Sequence, residues 1–297
     1  MNSDRQVISA IGKAGRQNLL TRSDLAGVKQ FALHFGLVLL FGTLIGLRVP
    51  YWPALIVVQG VLVIFLFTAL HETIHLTAFK SPRLNHIVSA LSGFLVLTPP
   101  GWFRLFHFAH HRFTHDPAND PERVAAKART VGGYVAYMSG LPVWWSLVRA
   151  LIVNALGRNA DAFVSDKDRT AVRREAQVYL ALYSLAVGLS YALASELLIW
   201  TWALPALVGQ PFLRGYLLAE HTGCEPSPDM LINSRTTLTN PLVRFVAWNM
   251  PYHAEHHAMP AVPFHKLADL HQHTRDHLGV KQQGYLNFHA RHIAGLR

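Results

Sequence analysis

Four stretches of this chain, near residues 31–47, 52–70, 177–195 and 197–218, are apolar and approach the roughly 17–25 residues that a helix needs to cross a bilayer. The chain is therefore expected to be an all-α integral membrane protein with four transmembrane helices. Short connections, Leu47-Arg48-Val49-Pro50-Tyr51-Trp52-Pro53 and a turn around Ser195-Glu196, make two hairpins of them. Composition agrees, because 51% hydrophobic and 15% charged residues with a mean hydropathy of +0.21 are too apolar for an ordinary soluble domain.

Basic residues fill the segments between these stretches. Lys13, Arg16, Arg22 and Lys29 precede the first, and Lys80, Arg83, Arg104, Arg112, Arg123, Lys127 and Arg129 follow the second. Arg158, Lys167, Arg169, Arg173 and Arg174 precede the third, whereas the hairpin tips offer only Arg48 and Glu196. The positive-inside rule then puts both termini and the long central region in the cytoplasm, in what is expected to be a bacterial inner membrane. The formal charge of +10 is dispersed among loops rather than gathered into an arm or stripe, so it does not point to nucleic acid.

The expected organisation is one domain over 1–297. It comprises a cytoplasmic segment 1–30, a hairpin 31–70, a cytoplasmic and interfacial region 71–175, a second hairpin 176–218 and a cytoplasmic region 219–297. Segments 86–99 and 131–156 are apolar but interrupted by Pro99-Pro100, Gly132-Gly133 and Pro142, and they read as interfacial or re-entrant helices. A fifth span over 133–155 is the main competing layout. The mixed, polar opening gives no expectation of a cleaved signal peptide. The single cysteine, Cys224, excludes an internal disulfide framework and reads as a small buried side chain.

Eighteen histidines are present, and eight form three tight clusters: His71/His75, His107/His110/His111 and His253/His256/His257. Residues four apart on a helix stand about 5–6 Å apart at Cβ, near enough to share a metal. Eight imidazoles exceed what one ion uses, which implies two metals. Imidazole suits Fe, Zn, Cu and Ni, so the donor type leaves the element open. In the expected topology all three clusters fall on the cytoplasmic side, beside the ends of apolar stretches. His71-Glu72-Thr73-Ile74-His75 also matches the H-E-x-x-H pattern of zinc peptidases, in which Glu72 would be the general base. That alternative, a zinc membrane metallopeptidase, leaves the other two clusters without work.

His107-Phe108-Ala109-His110-His111, with Thr114 and Asp120-Pro121-Glu122 after it, resembles the second box of the membrane fatty acid desaturase family. Asn249-Met250-Pro251-Tyr252-His253-Ala254-Glu255-His256-His257, followed by Pro260-Ala261-Val262-Pro263-Phe264 and Leu267, resembles the family's third box. The resemblance covers roughly residues 30 to 275. It implies iron ligands at His71, His75, His107, His110, His111, His253, His256 and His257, with His221 as a ninth. Some relatives hold a water through an Asn one turn before that residue, where this chain has Leu217, which puts the holding of the second iron in doubt.

Ligating imidazoles usually give their other N–H to an acceptor, and Glu72, Asp116, Asp120, Glu220 and Glu255 are placed for that duty. His115 stands one turn past His111 and is expected to support the site rather than ligate. His34, His86, His265, His271, His273, His277, His289 and His292 are expected to be solvated or packed. Arg214 falls in the last apolar run, where a charge is costly and usually paired or functional; Glu220 and an anionic substrate group are its candidate partners. Asn233-Ser234-Arg235-Thr236-Thr237 resembles a polar loop of relatives, with an ordinary surface loop as the alternative.

The resemblance implies a non-haem diiron oxidoreductase that uses two Fe ions and O2 to desaturate a fatty acyl or other aliphatic lipid-like chain. Hydroxylation, or desaturation of a small non-lipid metabolite, is the alternative on the same centre. No H-P-G-G haem motif or flavin domain is present, so electrons are expected from a ferredoxin-like or cytochrome partner that docks on the basic face.

Overall fold

The computed structural model describes residues 3–122 and 129–296, so Arg123 and Lys127 lie outside the described residues. The principal helices are α1 (Asp24–Gly46), α2 (Trp52–Ile64), α3 (Leu66–Ile74), α4 (Pro82–Leu95), α5 (Pro100–Phe113), α6 (Val131–Ser139), α7 (Leu141–Ala155), α8 (Asp166–Ala192), α9 (Leu204–His221) and α10 (His253–Ala258). The start of α1 is set by Ser23, whose side chain accepts the Ala26 N–H, with Asp24 in the first turn, the arrangement that satisfies a free N–H and suits the helix dipole.

Among the described residues, two helical stretches are long and apolar enough to cross a membrane, Lys13–Gly46 and Trp52–Ile74, and a third is possible if α6 and α7 count as one span. That pair is bent by 55° at Gly140, whose φ of +70° breaks the helix; a Cβ there would also strike the Gln210 side chain. Segment 86–99 falls mostly in α4, which at 14 residues is short for a crossing. The expected stretches at 177–195 and 197–218 are helical but have other boundaries. Helix α8 begins with charged turns from Asp166 to Arg174 and only from Val178 onward displays exposed Leu182, Leu185, Val187 and Leu189. Helix α9 is preceded by a widened turn over Ile199–Ala203, just ahead of Pro205, which has no N–H to donate.

The connection after α1 meets the turn that follows α8. Arg48 lies 3.4 Å from Glu196, and the Trp52 and Trp200 rings meet edge-on with centroids 5.2 Å apart, the kind of aromatic contact found at a membrane–water boundary. Deeper in, α2 and α9 touch backbone to backbone. A Cβ at Gly60 would stand 2.4 Å from the Pro205 carbonyl oxygen, and one at Gly209 would stand 2.1 Å from the Gly60 oxygen, so no other residue fits at either place. Of the apolar window in α1 only 17% is buried, against 61% for Trp52–Ile74. The first is thus an outer helix, with Leu25, Leu33, Leu39 and Leu40 exposed, and the second an inner one. An apolar surface that extensive marks a membrane-facing belt.

The core runs from the inner helix into the region after α9, where Leu66, Leu70, Leu213, Trp248, Met250, Leu267 and Leu270 are buried together. A parallel two-stranded ribbon, β1 (Arg235–Leu238) and β2 (Val280–Gln283), pairs Arg235 with Val280. Residues 233–237 are fully buried, which corrects the surface-loop alternative. The reason is local: Arg235 donates to the Ala219 and Thr222 carbonyl oxygens, the latter at 2.7 Å. The ribbon thereby satisfies carbonyls that the C-terminal turn of α9 would otherwise leave open.

Candidate metal centre

Four pieces of chain deliver the histidines. His71 lies in the last turn of α3 and His75 is its C-cap. Helix α5 carries His107, His110 and His111 on successive turns, and its N-terminus is held from outside by Glu175 of α8, which accepts the Gly101 N–H at 2.9 Å and the Trp102 N–H at 3.2 Å. His221 ends α9, and α10 carries His253, His256 and His257. From Trp52 to His71 a helix rises about 28 Å, so His71 and His75 lie at the end of the inner helix remote from Trp52.

Their ring nitrogens form two groups. His71, His75, His107, His111 and His256 make one, and His110, His221, His253 and His257 the other; within each, the nitrogens all lie within 4.8 Å of one another. All nine histidines singled out from the sequence are accounted for, and none is exposed. In the first group His111 Nε2 is 2.9 Å from His107 Nε2 and 3.1 Å from His256 Nε2. In the second, His221 Nε2 is 3.1 Å from His110 Nε2 and 2.9 Å from His253 Nε2.

This geometry fits a metal better than it fits hydrogen bonds. A ring nitrogen carries one proton or one lone pair, so His111 Nε2 and His221 Nε2 cannot each serve two neighbours through linear hydrogen bonds. Two nitrogens bound about 2.1 Å from one ion at a right angle stand roughly 3 Å apart. His75 Nε2 and His257 Nε2 are also buried with no hydrogen-bond partner, a costly state that an ion would relieve.

The electrostatics point the same way. Burial, reinforced by the neighbouring imidazoles, pushes His107, His111, His253, His256 and His257 well below their ordinary 6.5, so these rings are neutral and free to donate lone pairs. His110 is the exception. Burial alone would lower it, but Glu122 and then Asp120 outweigh that effect and hold it above the ordinary value.

The expected outer carboxylates divide. Asp120 Oδ1 meets His110 Nδ1 at 2.9 Å, and Glu220 Oε1 lies 3.3 Å from His253 Nδ1. Three others are used elsewhere. Glu72 accepts the Phe264 N–H at 3.0 Å, Asp116 closes a turn with Ala118 and Asn119, and Glu255 meets His271 Nδ1 at 2.5 Å and Thr236. His115 Nε2 donates to the Asn233 carbonyl oxygen, 2.7 Å away, the same oxygen that lies 3.3 Å from His221 Nδ1. Since that oxygen can only accept, both ring nitrogens facing it are N–H donors. His34 is packed between the Leu62 carbonyl, 2.9 Å away, and the Trp248 indole N–H, 3.2 Å away. Glu122 closes the Asp120-Pro121-Glu122 motif, and its Oε2 lies 3.6 Å from His110 Nε2. Nothing in the sequence distinguishes it from a solvated loop acid.

A cavity of about 640 Å³ opens against both groups, touching His71, His107 and His253. Its walls are largely apolar, with Phe67, Val96, Phe103, Phe106, Leu147, Leu213 and Leu217, and its polar members include Glu122, Arg214 and Glu220. Arg214 lies over the Tyr137 ring, with its Nε buried and without a hydrogen-bond partner. Glu72 is not among the lining residues.

Comparison with known proteins agrees with this arrangement. The chain is 26% identical over 261 residues to the dihydrorhizobitoxine desaturase of Bradyrhizobium elkanii, covering 82% of this chain and 72% of that one. It is 26% identical over 243 residues to a fatty acid desaturase of Bacillus subtilis (strain 168), covering 74% and 67%. It is 22% identical over 241 residues to the chloroplastic omega-3 fatty acid desaturase of Glycine max, where it covers 73% of itself but only 53% of the plant protein. The family model for fatty acid desaturases matches residues 47–288, a stretch that holds all nine of these histidines, and the chain belongs to the fatty acid desaturase family.

Proposed function

We propose that the protein is an O2-dependent diiron membrane oxidoreductase that desaturates a fatty acyl or other aliphatic lipid-like chain. The observation that carries this reading is the pairing of two imidazole groups at the wall of one largely apolar cavity. His71, His75, His107, His111 and His256 would hold one iron, and His110, His221, His253 and His257 the other. Bound there, the two irons would supply the oxidising power, drawn from O2 and two electrons, to remove hydrogens from an unactivated C–H bond, which no side chain can do.

The chain's own residues do the rest. Phe67, Val96, Phe103, Phe106 and Leu213 exclude water and hold an aliphatic chain extended past the imidazoles. Asp120, hydrogen-bonded at His110 Nδ1, fixes that ring's tautomer and orientation so that its Nε2 faces inward, and Glu220 stands 3.3 Å from His253 Nδ1. Arg214 is placed to hold an anionic group of the substrate at the cavity wall. In this reading the apolar stretches at 31–47, 52–70, 177–195 and 197–218 cross a bacterial inner membrane, and the termini and histidines face the cytoplasm. A ferredoxin-like or cytochrome donor would meet the basic side chains around the site.

A second reading, desaturation or hydroxylation of a small non-lipid metabolite, is favoured by the charged residues in the cavity wall, Glu122, Arg149, Asp161, Arg214 and Glu220. The similarity to a protein named for dihydrorhizobitoxine runs in the same direction. The zinc peptidase reading is disfavoured, because Glu72 binds a backbone N–H and stands off the cavity wall. Metal analysis of anaerobically purified protein tests the first claim: two irons support it, and one zinc defeats it. Mass spectrometry of lipids and small metabolites from cells with and without the gene then identifies the product. Loss of two hydrogens indicates desaturation and gain of one oxygen atom indicates hydroxylation.

A further inference from the structure

We propose that Arg149, at the rim of the large cavity, is the counter-charge for the carboxylate head group of an aliphatic substrate whose chain runs inward to the imidazoles. The inference rests on the reading above that this cavity takes an aliphatic chain, and it adds the head group and the residue that selects it.

Helix α7 supplies the argument, because it shows two faces. Leu141, Trp145, Val148 and Ile152, spaced three or four residues apart, make one exposed apolar stripe. Ser146, Arg149, Ala150 and Val153 lie beside that stripe and line the cavity. Arg149 is both exposed and cavity-lining, so it stands where the cavity opens to the surface. It is the one charged residue of the 15 in Leu141–Ala155, an apolar setting in which a charge is costly and usually paired or functional. Among the described residues, however, Arg149 makes no hydrogen bond or ion pair. An arginine within the exposed stripe could simply snorkel to water; Arg149 is turned from that stripe toward the cavity.

The acids of the wall are engaged elsewhere. Asp161 Oδ2 accepts from Trp102 Nε1 at 3.0 Å and from Asn159 Nδ2 at 2.9 Å. Glu122 and Glu220 stand at the imidazole end, 3.6 Å from His110 Nε2 and 3.3 Å from His253 Nδ1, together with Arg214. A short substrate lying beside the imidazoles would thus meet Arg214, whereas a long chain that reaches the rim would meet Arg149. Along the wall a row of rings is ready for such a chain: Phe163 lies 5.6 Å from Phe106, Phe106 lies 6.2 Å from Phe103, and Phe103 lies 5.6 Å from His107, centroid to centroid. A lone guanidinium matches a singly charged carboxylate in a two-pronged contact and leaves a doubly charged phosphate half balanced.

The test measures binding rather than turnover. Full-length protein at one detergent concentration is titrated with radiolabelled palmitate, hexadecanol and hexadecyl phosphate, which share a chain and differ in head group, at a pH where palmitate is ionised. The wild type should bind palmitate most tightly. Arg149→Gln should weaken palmitate about tenfold and leave hexadecanol unchanged, and Arg149→Lys, which keeps the charge without the fork, should recover part of the loss. Equal wild-type affinity for palmitate and hexadecanol would overturn the assignment. So would loss of palmitate binding in Arg214→Gln with none in Arg149→Gln, or hexadecyl phosphate bound more tightly than palmitate. Should Arg149→Gln lose hexadecanol as well, its cavity is damaged, and Arg149→Lys decides by the ratio of palmitate to hexadecanol affinity. A wild type that binds none of the three defeats the aliphatic-chain reading itself, an outcome distinct from the failure of Arg149.

Discussion

The five-imidazole and four-imidazole groups share two suppliers, α5 and α10, and differ in the helix that completes each: α3 gives His71 and His75 to the first, α9 gives His221 to the second. Their surroundings diverge more than their donors. Around the first group the rings chiefly meet one another, as in His71 against His107 with centroids 4.3 Å apart. Around the second, Asp120, Glu122 and Glu220 all lie within 4 Å of a ring nitrogen. Nearly identical ligand chemistry is thus set in one apolar and one anionic environment. The anionic side should bind a divalent ion more tightly and favour its more oxidised form.

The largest expected effect comes from cutting one group only. His256→Ala should reduce bound iron from two to one and lower product formation by more than about 100-fold, beyond what loss of a supporting contact costs; elemental analysis and product assays measure both. Retention of two irons in that variant would mean that the groups are not separate sites. Asp120→Asn should act on the four-imidazole group alone and weaken its iron roughly 10–100-fold, seen as one iron lost to a chelator before the other. Equal loss of both irons would erase the distinction drawn here.

Acid should separate the groups in the metal-free protein. His107, His111 and His256 have folded values depressed by burial. Their contribution to stability is therefore whole above the ordinary imidazole value of 6.5 and is lost as pH falls below it toward the folded values, because the unfolded chain takes up protons that the native state refuses. His110, raised by its carboxylate neighbours, has the opposite sign: its contribution is present below 6.5 and lost as pH rises through the folded value. Thermal melts of metal-free protein should show Tm falling from pH 7 to pH 5, and Asp120→Asn should steepen that fall by removing part of the opposing contribution. A Tm that is flat over this range would contradict the neutral imidazole cluster. The smallest effect is expected from Ser234→Ala. Its hydroxyl lies 3.4 Å from His221 Nδ1, which the Asn233 carbonyl at 3.3 Å also meets, so iron affinity should change by less than about tenfold.

The histidines were legible because a spacing of three or four residues on a helix puts rings together whatever the rest of the chain does. The helices at 31–47 and 52–70 were legible from apolar length alone. The outer ends of α8 and the widened turn before α9 were not, because their boundaries depend on a charged first turn and on Pro205 rather than on hydropathy. Glu72, Asp116 and Glu255 sit close to histidines in sequence, but side-chain direction and competing N–H groups decided where each carboxylate went. Glu122 was hidden for the converse reason: it is twelve residues from His110, and only the turn held by Asp116 and Asp120 brings it back. The burial of residues 233–237 was equally hidden, since it follows from Arg235 reaching the end of a distant helix.

The contact between Gly60 and Gly209 reaches further than its own neighbourhood. Helix α2 continues into α3 and ends at His71 and His75, and α9 ends at His221, so the helices that complete the two groups are pinned to each other where neither has a side chain. From that pin to His71 and to His221 the helices rise about 16–18 Å, which makes it a fulcrum: a small tilt there is magnified at the imidazoles. The gap between the two imidazole groups is in this sense set where Gly60 meets Gly209, and anything that tilts α2 against α9 would be felt as a change in their separation.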